Sequence, residues 1–115
     1  LAIHKINCVI DVGEYVNPDT LIAQTEGCVI WGVSIATKEQ ITFENGRVQQ
    51  SNYDDYKIAR MKDSPIINVR VIESELKPSG GDAGLPPTPP AITNAIYAAT
   101  GKRIRKLPIG KQKLV

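Results

Sequence analysis

The chain has 115 residues, of which 42% are hydrophobic and 23% are charged. This composition is typical of one small globular domain and argues against intrinsic disorder. No apolar run approaches the roughly 18 residues that a membrane-spanning helix needs. The chain begins at Leu1, inside an apolar stretch and without an initiator methionine, so we expect it to be cut from a longer parent sequence.

The charges are distributed unevenly along the chain. The net charge is +2, yet residues 102–115 hold six of the fourteen Lys and Arg residues and none of the twelve acidic ones. The body is therefore mildly acidic and the tail is basic. A basic tail can contact nucleic acid, but sparse aromatic residues and a body without a basic stripe argue against that function.

The first two predicted elements are a strand and a long helix. Residues 3–12 are β-branched and loosely alternating, which predicts a strand. Residues 20–37 follow an Asn-Pro turn, and Asp19 or Thr20 can cap the helix that they form. This helix is apolar on most sides, which predicts that it is buried and partly covered by something outside this chain.

The second half of the chain predicts a hairpin, a strand, a loop and a helix. Asn45-Gly46 lies between two β runs and is the strongest short signal for a hairpin with a type I′ turn. Residues 75–90 are rich in glycine and proline and form an ordered loop or a linker, and Gly101 is a good helix C-cap. The remaining predicted elements are the hairpin strands, a further strand and the last helix, at 40–44, 47–51, 66–73 and 91–100. The order of elements indicates a single α+β unit over residues 1–115.

Three residues of the apolar helix are unusual for such a helix. Gly27 and Gly32 each cost ~1 kcal/mol of helix propensity relative to alanine, which indicates close approach of another backbone or of a ligand. Gln24 falls between apolar positions, and a buried amide there needs partners. Those partners are either backbone groups or a polar cofactor.

Asp82 is the carboxylate whose setting is most distinctive. It lies in the glycine-rich stretch 79–84 with prolines beyond it, so a stiff loop can bring the carboxylate close to a ligand. Such an aspartate is either a general base presented into a pocket or an ordinary turn residue.

The cysteines and the histidine give no sign of a metal site. Cys8 and Cys28 lie in apolar segments, which predicts buried inert thiols, although a bridge between them stays open. His4 has no partner at metal-ligand spacing, which argues against a protein-ligated zinc site.

Three stretches, taken in order along the chain, resemble the large subunits of molybdenum hydroxylases. Residues 17–27 match an N-P-(five residues)-Q-x-E-G pattern. Residues 44–61, ENGRVQQSNYDDYKIARM, resemble the hairpin and the following segment of the isoquinoline 1-oxidoreductase and aldehyde oxidase branch. Residues 80–108, beginning GGDAGLPPTPP, resemble its C-terminal glycine–proline signature, last helix and basic tail.

The resemblance implies the C-terminal part of a larger molybdopterin-binding domain. It implies that molybdopterin holds the metal through its own dithiolene, and that Gln24 hydrogen-bonds this cofactor. The family's base glutamate falls on Asp82 and the glycine before it on Gly81. The implied substrate is a small aldehyde or N-heterocycle, and the implied partners are the remainder of the large subunit and an iron–sulfur subunit.

The chain departs from the family pattern at three positions. Asp82 stands where the family has glutamate, so the carboxylate reaches one methylene less far. Ala83 stands where proline is common, and Cys28 replaces the second of two glycines. Two functions follow as alternatives: part of a hydroxylase that is inactive as an isolated chain, or a non-catalytic interaction module that keeps the fold but has lost the base.

Overall fold

The longest element is helix α1 (Pro18–Thr37). The computed structural model describes residues 1–110 and 112–114. Asn17, not Asp19 or Thr20, caps α1, because its side-chain oxygen accepts from the backbone N–H groups of Asp19 at 3.0 Å and Thr20 at 3.2 Å. The cap predicted from the sequence was wrong because the helix already begins at Pro18. Proline is accepted in the first turn, since its fixed φ suits a helix and its missing N–H would have no helical partner there.

Two strands form a parallel pair beside α1. Strand β1 (Lys5–Asp11) pairs with strand β4 (Ile66–Ile72), with Cys8 opposite Val69. The chain crosses from one strand to the other through α1, as a parallel connection requires. Both strands alternate between exposed residues and half-buried ones, with Ile10 of β1 buried, which confirms the two strands predicted from alternation.

The predicted hairpin is present but short. Strands β2 (Phe43–Glu44) and β3 (Arg47–Val48) pair antiparallel, and the turn between them has positive φ at both Asn45 and Gly46, as a type I′ turn needs. The regular ladder stops early because the side chain of Gln50, rather than a backbone carbonyl, accepts the N–H of Thr42 at 2.7 Å.

Helix α2 (Thr88–Thr100) begins three residues earlier than the sequence predicts. The two prolines that follow Thr88 lie in the first turn, where a missing N–H costs nothing. The Thr88 hydroxyl donates to the carbonyl of Gly84 at 2.7 Å. The helix ends as predicted at Gly101, whose φ of 73° closes the last turn by an N–H bond to Tyr97.

The core lies where α1, α2 and the C-terminal segment meet. Its buried members are apolar side chains from these three segments: Val33, Ala36, Ile92, Ile96 and Ile109. The backbone N–H of Ile109 donates to the carbonyl of Ala36 at 2.7 Å, and the Arg103 guanidinium lies 3.5 Å from the centroid of the Tyr97 ring. The described part of the tail therefore packs on both helices; positions 111 and 115 lie outside the described residues.

Within the described residues, helix α1 is buried on one side and exposed on another, and the exposed side is the part for which the sequence predicts a cover outside this chain. Its inward side includes Val29 and Val33, at 1% and 2% exposure, while Trp31 on another side is 49% exposed. No helix in the described part of the chain is long and apolar enough to span a membrane. Both cysteines are free, so the alternative of a bridge between Cys8 and Cys28 is excluded.

Candidate functional site

The residues singled out for the site come together although more than fifty positions separate them in sequence. Gln24 and Cys28 lie one turn apart on the same face of α1. The Gln24 amide nitrogen is 3.5 Å from the carbonyl oxygen of Gly81, and the Cys28 sulfur is 3.7 Å from Oδ1 of Asp82. The glycine loop therefore lies against the first half of α1.

The loop between β4 and α2 is fixed at both ends, so it is an ordered loop and not a linker. At its start, the Ser74 hydroxyl donates to Asp11 Oδ1 at 2.7 Å and the Ser79 N–H donates to the carbonyl of Val12 at 2.7 Å. At its end, Gly84 packs on α1 so closely that a Cβ there would lie 3.2 Å from the Cβ of Cys28.

Between these anchors the loop backbone is exposed and carries no side chain at its two glycines. Gly80 and Gly81 have φ values of 159° and 73°, and a Cβ built on either would meet nothing within 4 Å. Asp82 and Gly81 are both exposed. A ligand can therefore approach the loop backbone without a side chain between them.

Gln24 is exposed, so the prediction of a buried amide is wrong. The partners of its Nε2 in this chain are distant, the Gly81 oxygen at 3.5 Å and the Cys28 sulfur at 3.8 Å. The N···O distance exceeds that of a strong N–H···O bond, and a thiol sulfur is a weak acceptor. The amide can therefore donate to a ligand without losing a strong internal bond.

The contact of Cys28 with Asp82 was not predicted from the sequence, which indicated only a buried thiol and a departure from the family's paired glycines. The prediction of a buried thiol is confirmed at 3% exposure, but the thiol also contacts the site. Burial raises the pKa of the Cys28 thiol, and the Asp82 carboxylate raises this pKa further by its charge and by accepting a hydrogen bond. Its four-residue spacing from Gln24 was the available signal for this placement.

The two glycines of α1 have different surroundings. At Gly32 a Cβ would lie 2.5 Å from the Cβ of Thr88, which confirms the predicted close approach. At Gly27 a Cβ would meet nothing within 4 Å, so no described part of this chain fills that space. Gly27 lies between Gln24 and Cys28 in sequence and leaves room beside the site.

The site is an open surface in this chain. Two cavities of about 930 and 620 Å³ lie elsewhere, one beside residues 53–66 and one between β1 and α2, and neither includes Gln24 or Asp82. Gln24, Gly81 and Asp82 are all exposed, so in the described part of the chain the site residues form an open surface, as one wall of a site does.

The polar groups at the site are of the kinds that orient a polar organic cofactor. In the described residues no group of three or more His, Cys, Asp or Glu side chains could hold a metal ion. The site offers an amide, bare glycine backbone and one carboxylate. These groups fit molybdopterin, whose metal is bound by the cofactor's own sulfur atoms. The resemblance implies that Gln24 and Gly81 contact this cofactor.

The fold is an α+β unit with an exposed polar site, and comparison with known proteins identifies its class. Residues 1–65 match the family described as the molybdopterin cofactor-binding domain. The chain is 38% identical over 110 residues to the isoquinoline 1-oxidoreductase beta subunit of Brevundimonas diminuta, covering 95% of this chain and 14% of that protein. It is 35% identical over 106 residues to a nicotinate dehydrogenase chain of Pseudomonas putida, covering 90% and 9%.

A solved structure shows the same fold. The crystal structure of quinoline 2-oxidoreductase from Pseudomonas putida 86 superposes with a TM-score of 0.79 at 23% identity, covering 89% of this chain and 14% of that chain. The α+β unit is therefore part of a larger domain in that protein. The chain belongs to the molybdopterin cofactor-binding family of molybdenum hydroxylase large subunits, as the resemblance implied.

Proposed function

We propose that this chain is the C-terminal, cofactor-facing part of a large subunit that hydroxylates an aldehyde or an N-heterocycle with oxygen derived from water. The main support for the proposal is that Gln24, Gly81 and Asp82 lie close together, with the Gln24 amide nitrogen 3.5 Å from the Gly81 carbonyl oxygen. The names of two relatives, an isoquinoline 1-oxidoreductase subunit and a nicotinate dehydrogenase subunit, support the N-heterocycle, and the name of a third, a membrane-bound aldehyde dehydrogenase, supports the aldehyde.

Each site residue has a distinct role in this proposal. Gln24 donates hydrogen bonds from its amide to the cofactor and so fixes the cofactor's position. Gly81 has no side chain, so the cofactor can lie against the loop backbone. Asp82 accepts the proton that water loses as its oxygen is transferred to the substrate carbon. When bound, molybdopterin supplies the metal centre that accepts two electrons from that carbon.

The remainder of the enzyme completes the site. The chain spans 14% of the isoquinoline enzyme's beta subunit, and its site forms only one wall. We therefore propose that the isolated chain is inactive, that the remainder of the large subunit covers the cofactor, and that an iron–sulfur subunit removes the electrons.

Asp82 also supports the second candidate, a non-catalytic module. The oxygen of a base must come within about 2.6–3.2 Å of the heavy atom that carries the proton, and aspartate reaches one methylene less far than glutamate. If the loop backbone does not move closer to make up for the shorter side chain, the site can still contact the cofactor but lacks a working base.

The test uses the full-length large subunit assembled with its partners. We expect Asp82→Asn to lower kcat by the factor of about 10²–10⁴ that a general base contributes, with molybdopterin content unchanged. We expect Gln24→Ala to lower the molybdopterin content, measured as the fluorescence of the oxidised pterin. Asp54→Asn, an exposed aspartate outside the site, is the control.

The outcomes separate the two candidates. Full activity in Asp82→Asn would contradict the role of Asp82 as base. Activity that appears only in Asp82→Glu would support the non-catalytic module. Unchanged pterin content in Gln24→Ala would exclude the cofactor-binding role of that amide.

A further inference from the structure

Cys28 lies between the two functional side chains of the site. Its sulfur is 3.8 Å from the Gln24 amide nitrogen, 3.6 Å from the Gly81 carbonyl oxygen and 3.7 Å from Oδ1 of Asp82. Cys28 is only 3% exposed, whereas Gln24 and Asp82 are both exposed. The thiol is therefore the buried link between a helix residue and a loop residue that lie on the surface.

The direction of the hydrogen bonds follows from the chemistry of each group. The Gln24 amide has only N–H donors at its nitrogen, so it donates to the sulfur, which is a weak acceptor. The thiol has one proton, which it shares between the Gly81 carbonyl and the Asp82 carboxylate. Both acceptors belong to the glycine loop, so the thiol ties this loop to α1 at the residue that presents the carboxylate.

The loop needs such a tie because its own backbone provides little restraint there. Gly80 and Gly81 have no side chains to pack and have access to more backbone conformations than other residues. The nearest packing anchor is Gly84, two residues after Asp82, which lies against the Cβ of Cys28 and the carbonyl of Thr25. Packing at Gly84 restrains the loop backbone but does not orient the side chain of Asp82.

We propose that Cys28 is a positioning residue, whose buried thiol hydrogen-bonds the Asp82 carboxylate and orients it toward the cofactor face marked by Gln24. The catalytic consequence of this contact rests on the proposed function, but the contact itself does not. A thiol that served only to fill space would need no acceptor, and a methyl or hydroxymethyl group would replace it equally well.

The first experiment measures the contact without any assay of activity. In the full-length protein, alkylation of Cys28 by iodoacetamide is followed against pH by peptide-resolved mass spectrometry. The midpoint of the profile reports the thiol pKa, and the plateau at high pH reports access to the sulfur. The groups that act on this pKa besides burial are Asp82, the Gly84 backbone N–H and the Gln24 amide.

We expect Asp82→Asn to lower the midpoint, because the substitution removes a negative charge and a carboxylate acceptor that both favour the protonated thiol. Alkylation at neutral pH then becomes severalfold faster. Asp19→Asn, which removes an exposed carboxylate in the first turn of the same helix, should leave the midpoint unchanged. An unchanged midpoint in Asp82→Asn would overturn the proposal, whatever the activity of the enzyme.

The second experiment separates orientation from packing. We expect Cys28→Ala to lower kcat about 10-fold, less than the roughly 100-fold that a 1 Å misplacement can cost, with KM and pterin content unchanged. Cys28→Ser keeps a donor and should recover most of the lost kcat. Cys8→Ala, at the half-buried cysteine of β1, is the control for loss of a thiol.

The results distinguish a failure of this inference from a failure of the proposed function. Equal losses of kcat in Cys28→Ala and Cys28→Ser, or no loss in Cys28→Ala, would reduce Cys28 to a packing residue and overturn the inference. A shifted thiol midpoint in an Asp82→Asn enzyme that stays fully active would leave the contact standing and reject Asp82 as the base. If Cys28→Ala does not fold, the alkylation profile of the Asp82→Asn protein still decides whether the contact exists.

Discussion

Asn17 determines where the longest helix begins. Its side-chain oxygen accepts hydrogen bonds from two N–H groups of the first turn, which otherwise lack partners within the helix. Asp19 and Thr20 are equally good capping residue types, but both lie inside the helix. The residue type was therefore predictable from the sequence, whereas the position depended on Pro18 being accepted into the first turn.

Replacing the cap should destabilise α1 by a known amount. We expect Asn17→Ala to lower the free energy of unfolding by about 1 kcal/mol, the usual cost of losing an N-cap. Asp19→Ala and Thr20→Ala, which remove the caps predicted from sequence, are the matched controls and should change it less. Denaturant unfolding of the three variants measures the difference. A larger loss in either control would show that the cap lies further along the chain.

Cys28 and Asp82 show the limit of prediction at the scale of single residues. The sequence indicates a buried thiol at 28 and a carboxylate on a glycine loop at 82, and both descriptions hold. Their contact at 3.7 Å is a property of neither residue alone. It arises because Gly84 packs on the helix turn that carries Cys28.

At the scale of elements, the two glycines of α1 have different surroundings. Gly32 allows the start of α2 to approach α1, whereas a Cβ at Gly27 would meet no atom of another described segment within 4 Å. Each glycine makes the helix less stable by a similar amount relative to alanine, so the sequence gives no basis for distinguishing the two. The structure explains the cost at Gly32 by the close contact with Thr88.

A methyl group at each glycine should therefore have opposite effects. We expect Gly32→Ala to destabilise the protein by about 1–3 kcal/mol, as overpacking does, because the new Cβ would lie 2.5 Å from the Cβ of the buried residue Thr88. Gly27→Ala should leave stability unchanged or raise it by up to about 1 kcal/mol through helix propensity. Thermal unfolding of both variants measures the difference, and equal losses would contradict the assigned contact.

The boundaries of elements differ from the prediction for local reasons. The hairpin ladder is shorter because the side chain of Gln50 takes the N–H of Thr42. Helix α2 begins earlier because prolines are accepted in a first turn, although proline within a helix normally ends it. The turn at Asn45-Gly46 needed no such correction, because its positive φ angles are imposed by the two turn residues themselves.

At the scale of the whole molecule, an apolar side of α1 is left uncovered. Trp31 is 49% exposed and Ile30 is 36% exposed. Single exposed apolar residues are common, but two adjacent large ones in the apolar second half of a helix are consistent with a contact surface. Because this chain is a small part of the relatives that it matches, we propose that the remainder of the large subunit covers them.

This proposal predicts the effect of a charge at the uncovered position. We expect the full-length large subunit to lose several degrees of Tm in Trp31→Glu, because the charge would be buried without a partner. Gln49→Glu adds the same charge at an exposed polar position of the hairpin and should leave Tm unchanged. An unchanged Tm in Trp31→Glu would show that this side of α1 stays in contact with water in the complete protein.

The sequence by itself determined the types and order of the elements, the hairpin turn and the family. These depend on local backbone preferences and on motifs that are read along the chain. Only the tertiary structure decided which side of α1 is buried, why Gly32 and Gly27 differ, and that the Cys28 thiol lies against the Asp82 carboxylate. These depend on how a long glycine loop packs onto a distant helix, because close packing fixes contacts between residues whose separation in sequence carries no information about their distance in space.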